Sequence, residues 1–336
     1  MEEHLLIDRL TRYYKKSAFQ KNKVHESDAE IIQIPNTDTL LAITIDSLAE
    51  EIEHSLYTDP YQIGWMTVMI NASDLAAVGA NPLGIVVEQT LLKKHINTKS
   101  SFLDDLQKGI ADASSASGLY VLGGDTNFAK KMHMTGAALG VCPQNRYMKR
   151  RGCNIGDILA TTNKAGLGNA FAYAKLFKDS QKNCPKYFPH AKLKEGKKIL
   201  KYATSCIDTS DGLFASIEEL GRLNRLGFQI TASTDEILHD EAKKISLPSW
   251  MMLAGHHGDF ELLFTVPEKK WPLFKKEFQK QQLPFIQLGV AVKQLGINFE
   301  KHHFSPGVIK KTWSESKNNI KKYMQNLLKL GGCDEH

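Results

Sequence analysis

The chain of 336 residues contains no G-x-x-x-x-G-K-[ST] segment and no protein-kinase Gly-rich loop, so neither of those nucleotide sites is expected. Its five cysteines, Cys142, Cys153, Cys184, Cys206 and Cys333, form an odd set without a C-x-x-C pair. That argues against a disulfide framework or a zinc ribbon and for a reducing, cytoplasmic setting. No apolar run approaches the ~18–20 residues that span a bilayer, and the N-terminus, MEEHLLIDRL, is acidic where a signal peptide is basic. Neither secretion nor membrane insertion is expected. The formal charge of +6 is modest, and much of the excess lies in Lys-rich helices and between Lys310 and Lys329, so nucleic-acid binding is not expected either.

What is present is the mixture of an ordinary globular protein, 42% hydrophobic and 24% charged, in a chain long enough for two cores. Leu5 to Ala18 reads as an amphipathic helix, while Ala29 to Ile34 and Thr39 to Asp46 read as strands. Tyr61 to Val78 reads as a long, mostly buried helix, stopped by Gly79 and Pro82. A strand at Leu83 to Leu92, a helix from Ser100 to Ala116, and strands at Leu119 to Leu122 and His133 to Val141 follow. The Arg- and Gly-bearing segment Asn145 to Gly156 is the expected domain junction. Beyond it, strands at Ile158 to Thr162, Phe228 to Ala232, Phe260 to Val266 and Phe285 to Val292 alternate with helices at Gly168 to Phe177, Gly212 to Leu223 and Lys269 to Lys280. The expected domains are therefore 1–148, an α/β unit, and 149–305, an α+β unit, followed by a Lys-rich tail at 306–336.

Aspartates recur at the ends of apolar segments beside small residues: Asp46, Asp74 in NASDLAA, Asp125 in LGGDTN, and Asp208 and Asp211 in CIDTSDGL. A common purpose for them is magnesium, a hard cation that takes carboxylates, waters and phosphate oxygens. Each piece also has a plainer reading. Asp208 or Ser210 is a natural cap for the helix near Gly212, and Gly123-Gly124-Asp125 reads as a turn after a strand. Asp74 resists such a reading, because an unpaired carboxylate in an apolar helix is costly to bury. The pairs His256-His257 and His302-His303 read as surface or loop histidines, since adjacent histidines rarely both reach one tetrahedral zinc.

Four segments together resemble thiamine-monophosphate kinases, of the wider AIR synthase-related group. Asn71-Ala72-Ser73-Asp74-Leu75-Ala76-Ala77-Val78-Gly79-Ala80 with Pro82 is similar to that family's N-x-S-D-x-A-A-M-G-A…P helix. Gly123-Gly124-Asp125-Thr126 resembles its G-G-D-T turn, Ile207 to Leu213 its I-D-x-S-D-G-L, and Gly258-Asp259-Phe260-Glu261-Leu262 its E-D-Y-E-L. The resemblance implies an AIR synthase-like fold, α/β and α+β, whose N-terminal sheet forms a barrel across a homodimer, with ATP in the cleft between the domains. It further implies Asp28, Asp46, Asp74, Asp125 and Asp208 as Mg2+ ligands, assisted by Thr44 and Asp211. Asp74, Asp125 and Asp208 become the catalytic set, and Gly124, Asp125, Arg150 and Ser210 the ATP contacts. His54, Gly258 and Asp259 fall where the substrate, thiamine monophosphate, is held.

Departures from the family pattern concentrate on the acceptor side. Its early G-D-D is Glu26-Ser27-Asp28 here, its T-D is Ile45-Asp46, its V-E-G-x-H-F is Ala49 to Ser55 with one extra residue, and its G-G-E-D is His256-His257-Gly258-Asp259. The expected reaction is ATP-dependent phosphorylation of thiamine monophosphate. The alternatives are a relative acting on another small acceptor and a nucleotide-binding homologue without turnover.

Overall fold

The computed structural model describes residues 3–96, 101–177, 184–316 and 319–330. Two sheets organise it. The first has strands β1 (Glu30–Gln33), β2 (Leu40–Leu48), β3 (Asn81–Leu91), β4 (Val121–Phe128) and β5 (His133–Val141) in the order β1-β2-β5-β3-β4. Its pairs are antiparallel except β3 with β4, which the helix Phe102–Ser117 connects as a crossover. The sheet is open, its outward side carries exposed Ile45, Val86 and Leu122, and Val121 and Phe128 are exposed on the edge strand β4.

The helix Pro60–Ala77 covers the inner side. It starts cleanly because Asp59 accepts from the Tyr61 amide and Pro60 takes the first helical position. It is buried nearly all round, Asn71 and Ser73 included, and its end enters a core shared with Ile199, Leu200 and Phe264 of the second half. A helix so enclosed ties the two halves together.

The second sheet has strands β6 (Ile158–Thr161), β7 (Ser205–Asp208), β8 (Gly227–Ile230), β9 (Leu262–Val266), β10 (Ile286–Val292), β11 (Gly296–Phe299) and β12 (His302–Phe304). Their order is β12-β11-β8-β10-β6-β9-β7. Phe214, Ile217 and Leu220 of the helix Leu213–Asn224 fill the core on one side of it. Helices Val308–Glu315 and Ile320–Leu330 fold back onto the same core through buried Ile309, Tyr323 and Leu327, so this stretch of the expected tail is packed structure. Residues 331–336, the end of the expected tail, lie outside the described residues, as does Ser100, the expected start of the crossover helix.

The junction is threaded between the halves. The amide of Met148 donates to the Val78 carbonyl, that of Arg150 to Glu26, and that of Cys206 to Lys149. A second strap crosses nearby, with Gln62 Nε2 donating to the Tyr187 carbonyl (2.8 Å) and Trp65 Nε1 to that of Pro189 (2.9 Å). Among the described residues, no helix is long and apolar enough to cross a membrane.

Two expectations need correction. Gly123-Gly124-Asp125-Thr126 is not a turn but the middle of β4, laid in parallel register along Val86 to Gln89. Gly124 is required there because a Cβ would stand 1.8 Å from the Val87 carbonyl oxygen. His257 is no surface residue: its ring meets Tyr57, Phe171 and Tyr187, and burial pushes its pKa down to about 3.

Candidate active site

A cavity of about 1420 Å³ opens between the two halves, and its acidic centre is assembled from both. Asp28 stands just before β1, Thr44 and Asp46 on β2, Asp74 on the central helix, and Asp208 at the end of β7. Asp46 and Thr44 share the inner side of β2 by alternation, and Thr44 Oγ1 donates to Asp74 Oδ2. Ser73 Oγ donates to Asp208 Oδ2 across the domain boundary (2.6 Å), and Ser210 Oγ to Asp208 Oδ1 (2.8 Å). One carboxylate oxygen each from Asp28, Asp74 and Asp208 lies within 4.8 Å of the others.

So many carboxylates in one cavity disfavour their own charges. Desolvation, then Asp208 and Glu51, push Asp46 up to about 7. Burial and Asp28 push Asp208 up to about 6, and burial with Asp46 and Asp208 raises Asp74 well above the usual carboxylate range. Arg150 is the cation at this centre: its Nη2 donates to Asp28 Oδ1 (2.9 Å), and that pairing outweighs burial to raise its pKa. Asp28 Oδ2 is buried without a hydrogen-bond partner. An orphaned carboxylate oxygen beside two carboxyls of raised pKa is a place for a cation.

A second group of acids in the cavity is matched by basic side chains. Asp211 has Lys310 Nζ at 3.5 Å and His256 Nε2 at 3.9 Å; burial would raise its pKa, but these basic neighbours hold it below the usual range. Burial likewise opposes, yet Arg222 and Lys310 bring Glu219 down to about 2. The Arg222 fork reaches Glu219 at 2.9 and 2.5 Å, and the Trp313 ring stacks on His256 with centroids 4.7 Å apart.

The remaining expected residues divide. Exposed His54 lines the cavity beside Glu50 and Glu51, and Ser210 and Asp211 line it too. Asp125 does not line it. The register sets Ser47, Thr135, Glu88 and Asp125 in one row and Asp46, Gly136, Val87 and Gly124 in the next, so Asp125 points to the side opposite Asp46. There it accepts from Asn127 Nδ2 (2.9 Å). Asp259 is buried as a backbone clamp, accepting from the amides of Gly166 (2.7 Å) and Gly168 (2.8 Å). Gly258 is walled in as well: a Cβ would sit 1.7 Å from the Thr209 carbonyl oxygen, so no larger residue fits this backbone path. Neither presents a side chain to a substrate.

Sequence reasoning missed Glu219, Lys310 and Trp313. Nothing in a Lys-rich amphipathic stretch separates the lysine that faces a cavity from those that face water.

Residues 26–142 match the family model of AIR synthase related protein, N-terminal domain. Thiamine-monophosphate kinase of Methanocaldococcus jannaschii is 29% identical over 283 residues, 79% of this chain and 86% of that one. That of Buchnera aphidicola from Acyrthosiphon pisum is 29% identical over 295 residues, 80% and 86% of the two chains. Among solved structures, AaThiL complexed with AMPPCP and TMP superposes with a TM-score of 0.72 at 20% identity, covering 91% of this chain and 95% of that one. The mixed α/β arrangement is thus an AIR synthase-like fold.

Proposed function

From a chain whose residues 26–142 match the AIR synthase-related N-terminal domain and which is similar along most of its length to thiamine-monophosphate kinases, we propose an ATP-dependent kinase. It transfers the γ-phosphoryl of ATP to the phosphate of thiamine monophosphate, giving the diphosphate. The observation that carries the reading is the convergence of Asp28, Asp74 and Asp208 in a cavity between two domains.

The donor set fits magnesium: hard carboxylate oxygens, one of them buried and unpartnered, and neighbouring carboxyls whose mutual repulsion a cation relieves. Asp28, Asp46, Asp74 and Asp208 would hold it, with Thr44 and Asp211 assisting from the same cavity. When bound, magnesium offsets the negative charge that builds on the transferring phosphoryl group. The chain's own residues do the positioning. Arg150, already oriented by Asp28, directs a fixed positive charge toward nucleotide phosphates, and the Ser210 hydroxyl turns from Asp208 to a phosphate oxygen. The acceptor oxygen belongs to a phosphate already ionised near neutral pH, so no general base is needed. Asp125 and Gly124 join this scheme through the resemblance alone.

The test is formation of thiamine diphosphate and ADP from thiamine monophosphate, ATP and magnesium. ATP binding without product would favour a homologue lacking turnover. One observation keeps another acceptor in view: the backbone around Gly258 excludes the glutamate of the related motif, so the acceptor wall differs from the family pattern. A panel of phosphate acceptors separates the two readings.

The active form is proposed to be a homodimer in which the open sheet meets its twin as a barrel. Its exposed apolar outward side and the unpaired edge of β4 support this, since such surfaces call for cover. Light scattering at micromolar concentration should give twice the 37.6 kDa chain mass, and a monomer would contradict the proposal.

A further inference from the structure

The chain closes a tight turn soon after β2, and the turn holds an acid against an aromatic wall. The Glu51 carbonyl accepts from the amides of Leu56 (2.8 Å) and Tyr57 (3.2 Å), and Ser55 takes a left-handed conformation (φ 58°) within the turn. Glu51 and Tyr57 are thereby held together, and both line the cavity. Tyr57 is buried and continues into a wall of rings: its hydroxyl lies 3.1 Å from His257 Nε2, and its ring stacks on Phe171, which stacks in turn on Tyr187. The wall carries no positive charge of its own, because burial keeps His257 neutral, with a pKa of about 3.

The Glu51 carboxyl is the unmatched group here. Burial raises its pKa, and the opposing influences are its own amide and exposed His54; among the described residues no lysine or arginine acts on it. Its charge is felt by Asp46 of the acidic centre and by Tyr57 and Tyr187 of the wall, so it stands within reach of both. Tyr187 also marks where this wall leads, since its hydroxyl donates to the Gly258 carbonyl (2.6 Å). Gly258 is the position at which the related motif has a glutamate and at which no side chain fits this backbone. The first domain thus brings an acid to a wall from which the second has lost one. An acid without a fixed counter-charge beside uncharged rings is a setting for a cationic ring, through ion pairing with the carboxylate and attraction to the π-systems.

We propose that Glu51 is a specificity-determining residue whose carboxylate, with Tyr57 beside it, holds the positively charged ring of the acceptor while the acceptor's phosphate turns to the metal centre. This rests on the kinase reading above. It makes the charge of the ring, and not its shape alone, what the site selects.

The experiment compares wild type, Glu51→Gln and Glu51→Asp by calorimetric binding of thiamine monophosphate, of its 3-deaza analogue, whose ring has the same shape and no charge, and of a non-hydrolysable ATP analogue with magnesium. Wild type should prefer the charged acceptor to the neutral one by about 10- to 100-fold, the span of a charge-assisted contact. Glu51→Gln should lose most of that preference by weakening thiamine monophosphate while leaving the 3-deaza and ATP analogues unchanged, and Glu51→Asp should retain part of it. Equal weakening of both acceptors, an unchanged Kd for the monophosphate, or weakening of the ATP analogue instead would each overturn the assignment. So would a wild type that does not distinguish the two acceptors, a result that requires no variant to fold. A wild type that forms no thiamine diphosphate would overturn the kinase reading and this inference together. Normal wild-type turnover with an undiminished charge preference in Glu51→Gln overturns the inference alone.

Discussion

Two groups of acids line one cavity and behave in opposite ways. Around Asp46, Asp74 and Asp208 the carboxyls outnumber their cations, and every pKa goes up. Around Asp211 and Glu219 the basic side chains Lys310, Arg222 and His256 keep pace, and both pKa values go down. Burial acts in the same direction on both, so it does not explain the difference. What separates them is the supply of counter-charge from the chain itself. On the proposed reading a magnesium ion completes the first group, whereas the second carries its counter-charge within the fold.

The comparison breaks most visibly with Asp74→Asn. Loss of one ligand should cost at least ~2–3 kcal/mol in the barrier, about 10²-fold in kcat. Melting of the unliganded protein should hold or rise, because a buried carboxyl crowded by Asp46 and Asp208 has been replaced by a neutral amide. Near-normal turnover would end the ligand assignment, and an unfolded variant would make Asp74 structural.

Glu219→Gln tests the other side and should do the reverse. It leaves Arg222 and Lys310 without their shared partner, for a loss of about 1–2 kcal/mol after allowing for the partial exposure of both cations. Chemical denaturation measures this directly. Stability equal to wild type would mean that the matched wall is not held by its ion pairs.

A smaller effect sharpens the comparison through pH. Asp46 and Asp208 titrate in the fold at about 7 and about 6, above their unfolded values. The folded protein thus binds more protons than the unfolded chain between about pH 4 and 7. Their contribution to stability is fully present below the unfolded pKa and is lost as pH rises through the folded values. Without magnesium, the melting temperature should decline from pH 5 to pH 8. Magnesium with an ATP analogue should recover more of it at pH 8 than at pH 5. A flat profile in the absence of metal would show that the acids are already neutralised within the chain.

How far the site could be read before folding depended on how local its causes were. The central helix was legible, since its apolar run, the stop at Gly79 and the breaker Pro82 all lie within one segment. Asp74 stood out for the same reason, as a charge where the local pattern has no use for one, whereas Asp208 had a plainer reading as a helix cap. The Gly-Gly-Asp-Thr segment misled because a strand made of turn-forming residues exists only by pairing with β3, some forty residues upstream. Strand β7 is four residues long and entirely buried, too short for any alternation to show. His257 and the walled-in Gly258 depend on Tyr57, Phe171, Tyr187 and Thr209, none of them adjacent in sequence.

The hydrogen bond from Ser73 to Asp208 joins residues 135 positions apart, and the Arg150–Asp28 pair joins residues 122 apart. Contacts of such span are formed late when a chain folds, after the local helices and hairpins that they connect. Each half has enough core to gather by itself, yet neither contains the cation site. During refolding, then, helical signal should return in an earlier phase than magnesium affinity, with an interval in which the protein is largely structured and chemically inert. A nascent chain would pass through the same interval, holding no metal and turning over no nucleotide until its last domain has docked.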